Sequence, residues 1–282
     1  MKRNQFLKSV LAGASALSIP AVLQGKEGEK MEQVGFEHLP TKETKTMNTI
    51  IHRATTRGHA NHGWLDSHHT FSFANYMNPE RMHFGALRVL NDDIIQGGTG
   101  FGTHPHSNME IVSIPLDGAL EHKDSTGRER VIDTGDVQIM SAGRGIFHSE
   151  YNHNKNKASN FLQIWVFPKL GDIEPRYDQK RFEAKDRHNS WQTVVAPDKD
   201  SALWINQDAW FSLAELEKGK SLTYAKNLEG SLLYLFVIEG SVSLNGETLG
   251  KRDGMGILSG DISNLKSTED ASLLLMELPN LK

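Results

Sequence analysis

Cysteine is absent from this chain of 282 residues. Its absence excludes disulfide bonds and thiolate ligands, so a metal ion would have to be held by histidine and carboxylate side chains. A strong excess of one charge is also absent, since 31 basic and 35 acidic residues leave a formal net charge of −4. Because these charges form no long basic block, we expect no nucleic-acid partner.

A hydrophobic run long enough to cross a membrane is missing too, so we expect no membrane span. The apolar run at residues 10–23 follows Lys2 and Arg3 and is typical of an export signal. We therefore expect an export signal over residues 1–26, a linker over residues 27–46 and a periplasmic location, with a cytoplasmic location as the alternative. Residues 3–8 resemble the twin-arginine export motif, with Asn4 in place of its second arginine.

From residue 47 onward the pattern is that of β-strands. Short runs rich in Val, Ile, Phe and Trp, such as residues 162–167 and 232–238, recur between Gly, Asp and Asn turns. We expect an all-β sandwich or barrel rather than alternating strands and helices. A short helix is predicted only at residues 212–217.

An internal repeat indicates two similar β units in tandem. Residues 114–118 and 135–143 are weakly echoed by residues 237–240 and 252–260. A polar stretch around residues 168–200 separates the halves. We therefore predict an N-terminal domain over residues 47–175 and a C-terminal domain over residues 176–282.

Two pairs of side chains in the first unit have the spacing of a metal site. In an extended strand His104 and His106 project to one face, as do His148 and Glu150 downstream, and Glu110 shares the parity of the first pair. A hydrogen-bonded surface pair is the alternative reading of His104 and His106. Because two such pairs occur, a site for a first-row divalent metal is favoured.

The surrounding glycines, with these histidines, resemble the two signature motifs of the cupins; they are Gly98, Gly118, Gly135 and Gly143. The richer match is to the pirin family, through His104-Pro-His106 followed by Glu110, and through residues 143–150. Residues 57–75 resemble the bacterial pirins described as quercetin 2,3-dioxygenases. The resemblance implies two tandem cupin β-barrels of jelly-roll type, one metal ion, and opening of a flavonol ring by dioxygen.

The resemblance also implies the ligands. The pirin pattern transfers to His104, His106, His148 and Glu150, with Glu150 as fourth ligand or catalytic base. General cupins would instead use Glu110, which we expect to hydrogen-bond a ligand imidazole from outside the coordination shell. Iron(II) is the expected ion, although this ligand set also accepts Ni, Co, Mn, Cu or Zn.

The second unit offers no equivalent site. Alignment of the repeats places Lys226, Leu228 and Leu232 where His104, His106 and Glu110 stand, and Leu265 and Ser267 where His148 and Glu150 stand; these substitutes cannot rebuild the site. We therefore expect one ion per chain. The C-terminal unit is predicted to wall the pocket or to bind another protein.

Four more histidines crowd residues 59–69. His59, His62, His68 and His69 are not expected to share a strand face, so we predict that they cap loops or line the pocket mouth. The preferred function is a metal-dependent flavonol dioxygenase, acting on a small aromatic substrate and expected to be a monomer. The alternatives are a non-catalytic metal-binding regulatory protein and a cupin isomerase; dioxygen consumption separates the first function from both others.

Overall fold

The computed structural model describes residues 47–281. The predicted export signal and linker lie outside the described residues. Across 47–281 the chain forms 21 strands and three short 3₁₀ helices, at Ala54–Thr56, Pro79–Arg81 and Ala184–Arg187. In this part of the chain no helix has the length and apolar character needed to span a membrane.

The strands are β1 (Asn48–His52), β2 (Gly58–Asn61), β3 (Leu65–His69), β4 (Leu87–Ile95), β5 (Gly100–His106), β6 (Glu110–Asp117), β7 (Ala119–Asp124), β8 (Glu129–Asp133), β9 (Asp136–Ser141), β10 (Ile146–Asn152), β11 (Ser159–Val166), β12 (Arg176–Arg181), β13 (Gln192–Val195), β14 (Trp210–Leu216), β15 (Ser221–Tyr224), β16 (Leu232–Glu239), β17 (Val242–Leu244), β18 (Glu247–Leu249), β19 (Gly254–Ser259), β20 (Ile262–Ser267) and β21 (Ala271–Leu278). Most of the strands follow one another with short connections, and the longest connections join β3 to β4 and β13 to β14.

Four sheets build two barrels. The N-terminal barrel has a seven-stranded sheet in the order β12-β9-β6-β11-β4-β3-β2 and a four-stranded sheet in the order β5-β10-β7-β8. The C-terminal barrel has a six-stranded sheet, β1-β19-β16-β21-β14-β13, and a four-stranded sheet, β15-β20-β17-β18. The predicted all-β fold with two tandem cupin barrels is confirmed.

The two barrels exchange strands across the predicted boundary at residues 175/176. β1, the first strand of the chain, pairs with β19 and so belongs to the C-terminal barrel. β12, which follows the boundary, pairs with β9 and extends the N-terminal sheet. Pairing between distant strands is set by tertiary contacts, so a linear division of the sequence does not follow the sheets.

The helix predicted at residues 212–217 is wrong. Residues 212–216 lie in β14, which is hydrogen-bonded to β13 on one side and to β21 on the other. Almost every residue of this strand is buried. Burial on both faces of a central strand overrides the helical preference of a short Leu-Ala-Glu segment.

The main core lies between the two large sheets. Val112 and Leu162 of the N-terminal barrel pack there in one cluster with Tyr234 and Phe236 of the C-terminal barrel. Because side chains alternate along a strand, the intervening Leu235 of β16 points the other way, into the C-terminal barrel. The fully apolar run of β16 therefore serves two cores.

Two turns position the strands that carry the candidate ligands. Asn108 has a positive φ of 48° where the chain leaves β5 and enters β6 of the other sheet. Gly143 precedes β10 with a φ of 49°, and a Cβ at this position would overlap the carbonyl oxygen of Ile173. Glycine is therefore required by backbone sterics in the turn that leads to His148.

Candidate metal centre

Three histidines from two paired strands meet inside the N-terminal barrel. His104 on β5 lies directly opposite His148 on β10, and His106 is two residues along β5. The ring centroids are 4.5 Å apart for His104 and His148, and 4.9 Å for His106 and each of the other two. One nitrogen from each ring lies within 4.8 Å of the others, so the three imidazoles form a compact triad.

The hydrogen bonds of the triad leave nitrogens free for a metal ion. The backbone oxygen of Gly102 lies 2.8 Å from Nδ1 of His104, so this nitrogen donates and Nε2 keeps its lone pair. Both ring nitrogens of His148 are buried without a hydrogen-bond partner, and the residue is only 1% exposed. Buried nitrogens without a hydrogen-bond partner destabilise a folded protein, whereas coordination of a divalent cation would give one of them a partner. The residues of the triad therefore fit a metal ion.

The electrostatics of the site favour the neutral form of His106 and His148. Burial, reinforced by the neighbouring imidazoles, lowers the pKa of His106 to about 4. The same causes lower the pKa of His148 to about 3. Since only a neutral imidazole has a lone pair for coordination, the histidines are ready to bind metal at neutral pH.

Glu150 lies beside the triad, held by hydrogen bonds of its own. Gln163 Nε2 donates to Glu150 Oε2 over 2.7 Å, and Ser113 Oγ lies 3.2 Å from Oε1. The carboxylate lines the same cavity as His104 and His106 but is not part of the compact histidine cluster. Coordination by Glu150 therefore stays a prediction, and the structure adds Ser113 and Gln163 as its supports.

Glu110 faces away from the triad. Its Oε2 accepts hydrogen bonds from Ser141 Oγ at 2.8 Å and from the backbone N–H of Asn206 at 3.1 Å, so it joins the N-terminal barrel to a segment of the C-terminal half. The hydrogen bond expected between Glu110 and a ligand imidazole is not among its contacts. The parity argument failed because the turn at Asn108 moves the chain to the other sheet, where Ser113 contacts Glu150 and Glu110 contacts Asn206.

A cavity of about 800 Å³ opens onto the triad. Its aromatic walls are Trp64, Phe73, Tyr76, Phe101 and Trp165. The Trp165 ring lies 4.9 Å from that of His106 and 5.4 Å from that of Phe73, both edge to face. A cavity of this size with flat apolar walls suits a planar aromatic molecule placed next to the metal ligands.

Asp93 is a functional candidate that the sequence reasoning missed. It lies on β4, lines the cavity and accepts a hydrogen bond from Ser67. Burial, partly offset by this hydrogen bond, raises the pKa of Asp93 to about 7. The signal in the sequence was Asn91, Asp92 and Asp93 inside an otherwise apolar strand, because a buried carboxyl needs a specific reason to be there.

The four histidines of residues 59–69 divide between the cavity and the outer surface. His59, His62 and His69 line the cavity, in agreement with the prediction for its mouth. His59 and His68 are nevertheless cross-strand partners on β2 and β3, and their rings stack with centroids 4.4 Å apart. The expectation that they could not share a face was wrong because they sit on neighbouring strands rather than on one.

The C-terminal barrel has an aliphatic interior instead of a site. Leu265, which aligns with His148, is fully buried in a cluster of apolar side chains. Among residues 47–281, both groups of side chains with the spacing for a metal ion lie in the N-terminal barrel. The role of the C-terminal unit as a metal-free packing partner stays a prediction.

Comparison with known proteins gives two family matches along the chain. Residues 49–166 match the family model described as Pirin, and residues 193–278 match the model described as the quercetinase C-terminal cupin domain. The chain is 43% identical over 230 residues to a quercetin 2,3-dioxygenase of Escherichia coli, an alignment that covers 81% of this chain and 98% of the relative. It is 42% identical over 222 residues to a pirin-like protein of Caulobacter vibrioides, covering 78% of this chain and 95% of the relative.

Solved structures agree in fold, and one of them is a complex with a metal ion. The crystal structure of YhhW from Escherichia coli superposes with a TM-score of 0.79 at 42% identity, covering 83% of this chain and 99% of that one. A second structure, of the bacterial pirin YhhW in complex with nickel(II), gives a TM-score of 0.78 at 41% identity, covering 83% of this chain and all of that one. Together with the motifs and the histidine triad, these similarities show that the chain belongs to the pirin family.

Proposed function

We propose that the protein is a metal-dependent dioxygenase that opens the ring of a flavonol such as quercetin. The observation that carries this proposal is the aromatic-walled cavity of about 800 Å³ that ends on the triad of His104, His106 and His148. The relative from Escherichia coli is named quercetin 2,3-dioxygenase, which is consistent with this reading. We propose one ion in this site, with iron(II) as the native metal, and Glu150 as its fourth ligand.

The residues of the cavity have distinct parts in this reaction. The rings of Phe73 and Trp165 would hold the flat substrate and exclude water from the reacting carbons. A bound divalent ion would supply a Lewis acid that lowers the pKa of the substrate hydroxyl and brings it next to dioxygen. Ser113 and Gln163 would keep the carboxylate of Glu150 oriented towards the cavity.

Asp93 is proposed to receive the proton that the substrate hydroxyl loses. Its carboxyl lines the cavity, and its pKa of about 7 is matched to proton exchange near neutral pH. Glu150 then stays available as a ligand, since a ligand that also acts as base would have to leave the ion. Ser67 holds one carboxyl oxygen of Asp93, so the other is the proposed proton acceptor.

The test is metal analysis of protein purified without added metal, followed by oxygen-electrode assays with quercetin. We expect one tightly bound ion and oxygen uptake that depends on quercetin. Asp93→Asn should retain the ion and lower oxygen uptake by roughly a hundredfold or more, the usual range for a lost general base. A protein that keeps its ion but consumes no oxygen would support the binding-protein alternative, and turnover without oxygen would support the isomerase.

We also propose export from the cytoplasm, with removal of residues 1–26. The basic residues Lys2 and Arg3 before the apolar run carry this proposal. Mass spectrometry of the native protein from its own cell should find a chain that begins near residue 27 in the exported fraction. An intact N-terminus on cytoplasmic protein would contradict it.

A further inference from the structure

A second group of side chains with the spacing for a metal ion lies at the outer edge of the large sheet of the N-terminal barrel. His59 on β2 and His68 and Asp66 on β3 project from one face of the β2–β3 hairpin. Their ligand atoms lie within 4.8 Å of one another. Asp66 Oδ1 lies 2.9 Å from His59 Nε2 and 3.6 Å from His68 Nδ1, so one carboxylate oxygen is close to both imidazoles.

The hairpin fixes this geometry through its pairing. His59 lies opposite His68 and Asn61 lies opposite Asp66, so the four side chains share a face. Asn61 Nδ2 donates to Asp66 Oδ2 over 3.1 Å, which holds the second carboxylate oxygen and leaves Oδ1 directed at the histidines. An outer hydrogen bond of this kind is the usual support of a metal-binding carboxylate.

The charges of the cluster also suit a cation. Asp66 brings one carboxylate next to the two imidazoles. The guanidinium of Arg57 is paired with Asp92, at 3.5 Å, which reduces its repulsion of a bound cation. The three side chains are between a third and a half exposed, which leaves room for water as additional ligands.

We propose that His59, Asp66 and His68 form a second metal site, which takes a divalent cation of the zinc class with solvent in the remaining positions. Two imidazoles and a carboxylate are a ligand set that Zn²⁺ accepts readily, and an exposed site of three protein ligands binds more weakly than an enclosed one. The site is distinct from the histidine triad. It changes the expected stoichiometry from one ion to two when zinc is plentiful.

A cation bound at this site would stabilise the edge of the sheet at the mouth of the cavity. β2 is the last strand of the seven-stranded sheet, and its His59 and Ala60 line the cavity. A cation shared by β2 and β3 would cross-link this edge strand to its neighbour. Ser67 lies between the two β3 ligands and points inward to Asp93, and His59 itself lines the cavity, so the site adjoins the cavity mouth.

The experiment counts zinc ions in tag-free, full-length protein. The metal is stripped with a chelator, Zn²⁺ is added back by titration calorimetry, and bound zinc is measured by elemental analysis after equilibrium dialysis. The variants are His148→Ala, the double variant His59→Ala/His68→Ala, and the control His62→Ala, which changes a nearby exposed histidine outside the cluster. Circular dichroism confirms that each variant is folded.

We expect two zinc ions in the wild type and in His62→Ala, and one in the double variant. His148→Ala should keep the second ion even when the triad has lost its own, so the two sites are told apart. His68→Ala alone should weaken the second site by at least about tenfold, since a lost ligand costs more than a lost outer-shell partner. A wild type that binds only one ion, which His148→Ala then loses, would overturn the proposal. Two ions persisting in the double variant would also overturn it.

Discussion

The two barrels share an architecture and differ in what fills them. The C-terminal barrel is packed with buried aliphatic side chains, among them Leu233, Leu235 and Leu273. The N-terminal barrel has polar side chains at inward positions of its large sheet, including Ser113 and Gln163, and encloses a cavity of about 800 Å³. Inward-facing residues therefore decide whether a cupin barrel becomes a site or a solid core.

Packing against the C-terminal barrel offsets the stability that the N-terminal barrel loses through its cavity. The outer faces of the two large sheets pack against each other in the main hydrophobic core, which contains Val112, Ile139, Phe211 and Leu274. Burial of apolar surface at this interface stabilises both barrels, at about 25 cal/mol per Å² removed from water. The N-terminal barrel adds two smaller apolar clusters of its own, so the cavity with its histidines and carboxyls takes up only part of its interior.

The largest expected effect on metal binding and activity comes from removing a histidine of the triad in the N-terminal barrel. His148→Ala should abolish metal binding in the triad and all oxygen uptake with quercetin, because it removes one of the three imidazoles. Elemental analysis beside an oxygen electrode measures both. The matched control is Lys226→Ala at the aligned position of His104 in the other barrel, and loss of metal in that variant would contradict the comparison.

A second effect concerns the carboxylate beside the triad. Glu150→Gln should weaken metal binding and lower oxygen uptake by about a hundredfold or more, because a neutral amide is a poorer donor to a hard divalent ion. Metal titration and oxygen consumption are followed together. If Glu150→Gln kept both its ion and its oxygen uptake, the assignment of Glu150 as the fourth ligand would be wrong.

A third test compares one substitution inside the C-terminal barrel with one inside the N-terminal barrel. Leu235→Ala in the C-terminal barrel should lower the free energy of unfolding by about 2–5 kcal/mol, because it leaves a cavity in an apolar core. It should leave the metal content of the triad unchanged, because this cavity is far from the histidines. Ser113→Ala in the N-terminal barrel should lower the free energy of unfolding by only about 1 kcal/mol. It should nevertheless reduce oxygen uptake, because Glu150 loses a contact. Urea unfolding measures the stability of both variants, and an oxygen electrode measures their activity. If Leu235→Ala lost activity and Ser113→Ala lost mainly stability, the comparison of the two barrels would be wrong.

The smallest expected effect lies at the junction of the barrels. Burial raises the pKa of Glu110 to about 7, above its ordinary value of 4.5. The folded state therefore holds this proton more tightly than the unfolded state, so the contribution of Glu110 to stability is complete below pH 4.5 and is lost as the pH rises through 7.

Glu110→Gln should remove that loss, because the amide oxygen still accepts from Ser141 and Asn206 but does not ionise. Between pH 5 and pH 8 the variant should lose up to about 3 kcal/mol less stability than the wild type. Urea unfolding at both pH values measures the difference. A wild type and a variant with parallel pH profiles would refute this role of Glu110.

Much of this molecule was predictable from local patterns. Alternating apolar residues and glycine turns predict strands because a half-buried strand has a period of two, and the echo of residues 114–143 in residues 237–260 predicts the tandem barrels. His104 and His106 lie on one face of β5 for the same reason. Asp93 was missed because its position depends on which strand neighbours it, and strand pairing is not a local property.

The sequence by itself determined the all-β class, the absence of thiolate chemistry and the presence of ligand-type histidines in one half only. These depend on residue identity and short-range spacing, which no tertiary contact changes. Tertiary structure alone decided that Glu110 faces the other barrel, that β1 and β12 cross the domain boundary, and that His59 meets His68. Each of these depends on the register and neighbours of strands far apart in the chain, which are set by the burial of complementary faces.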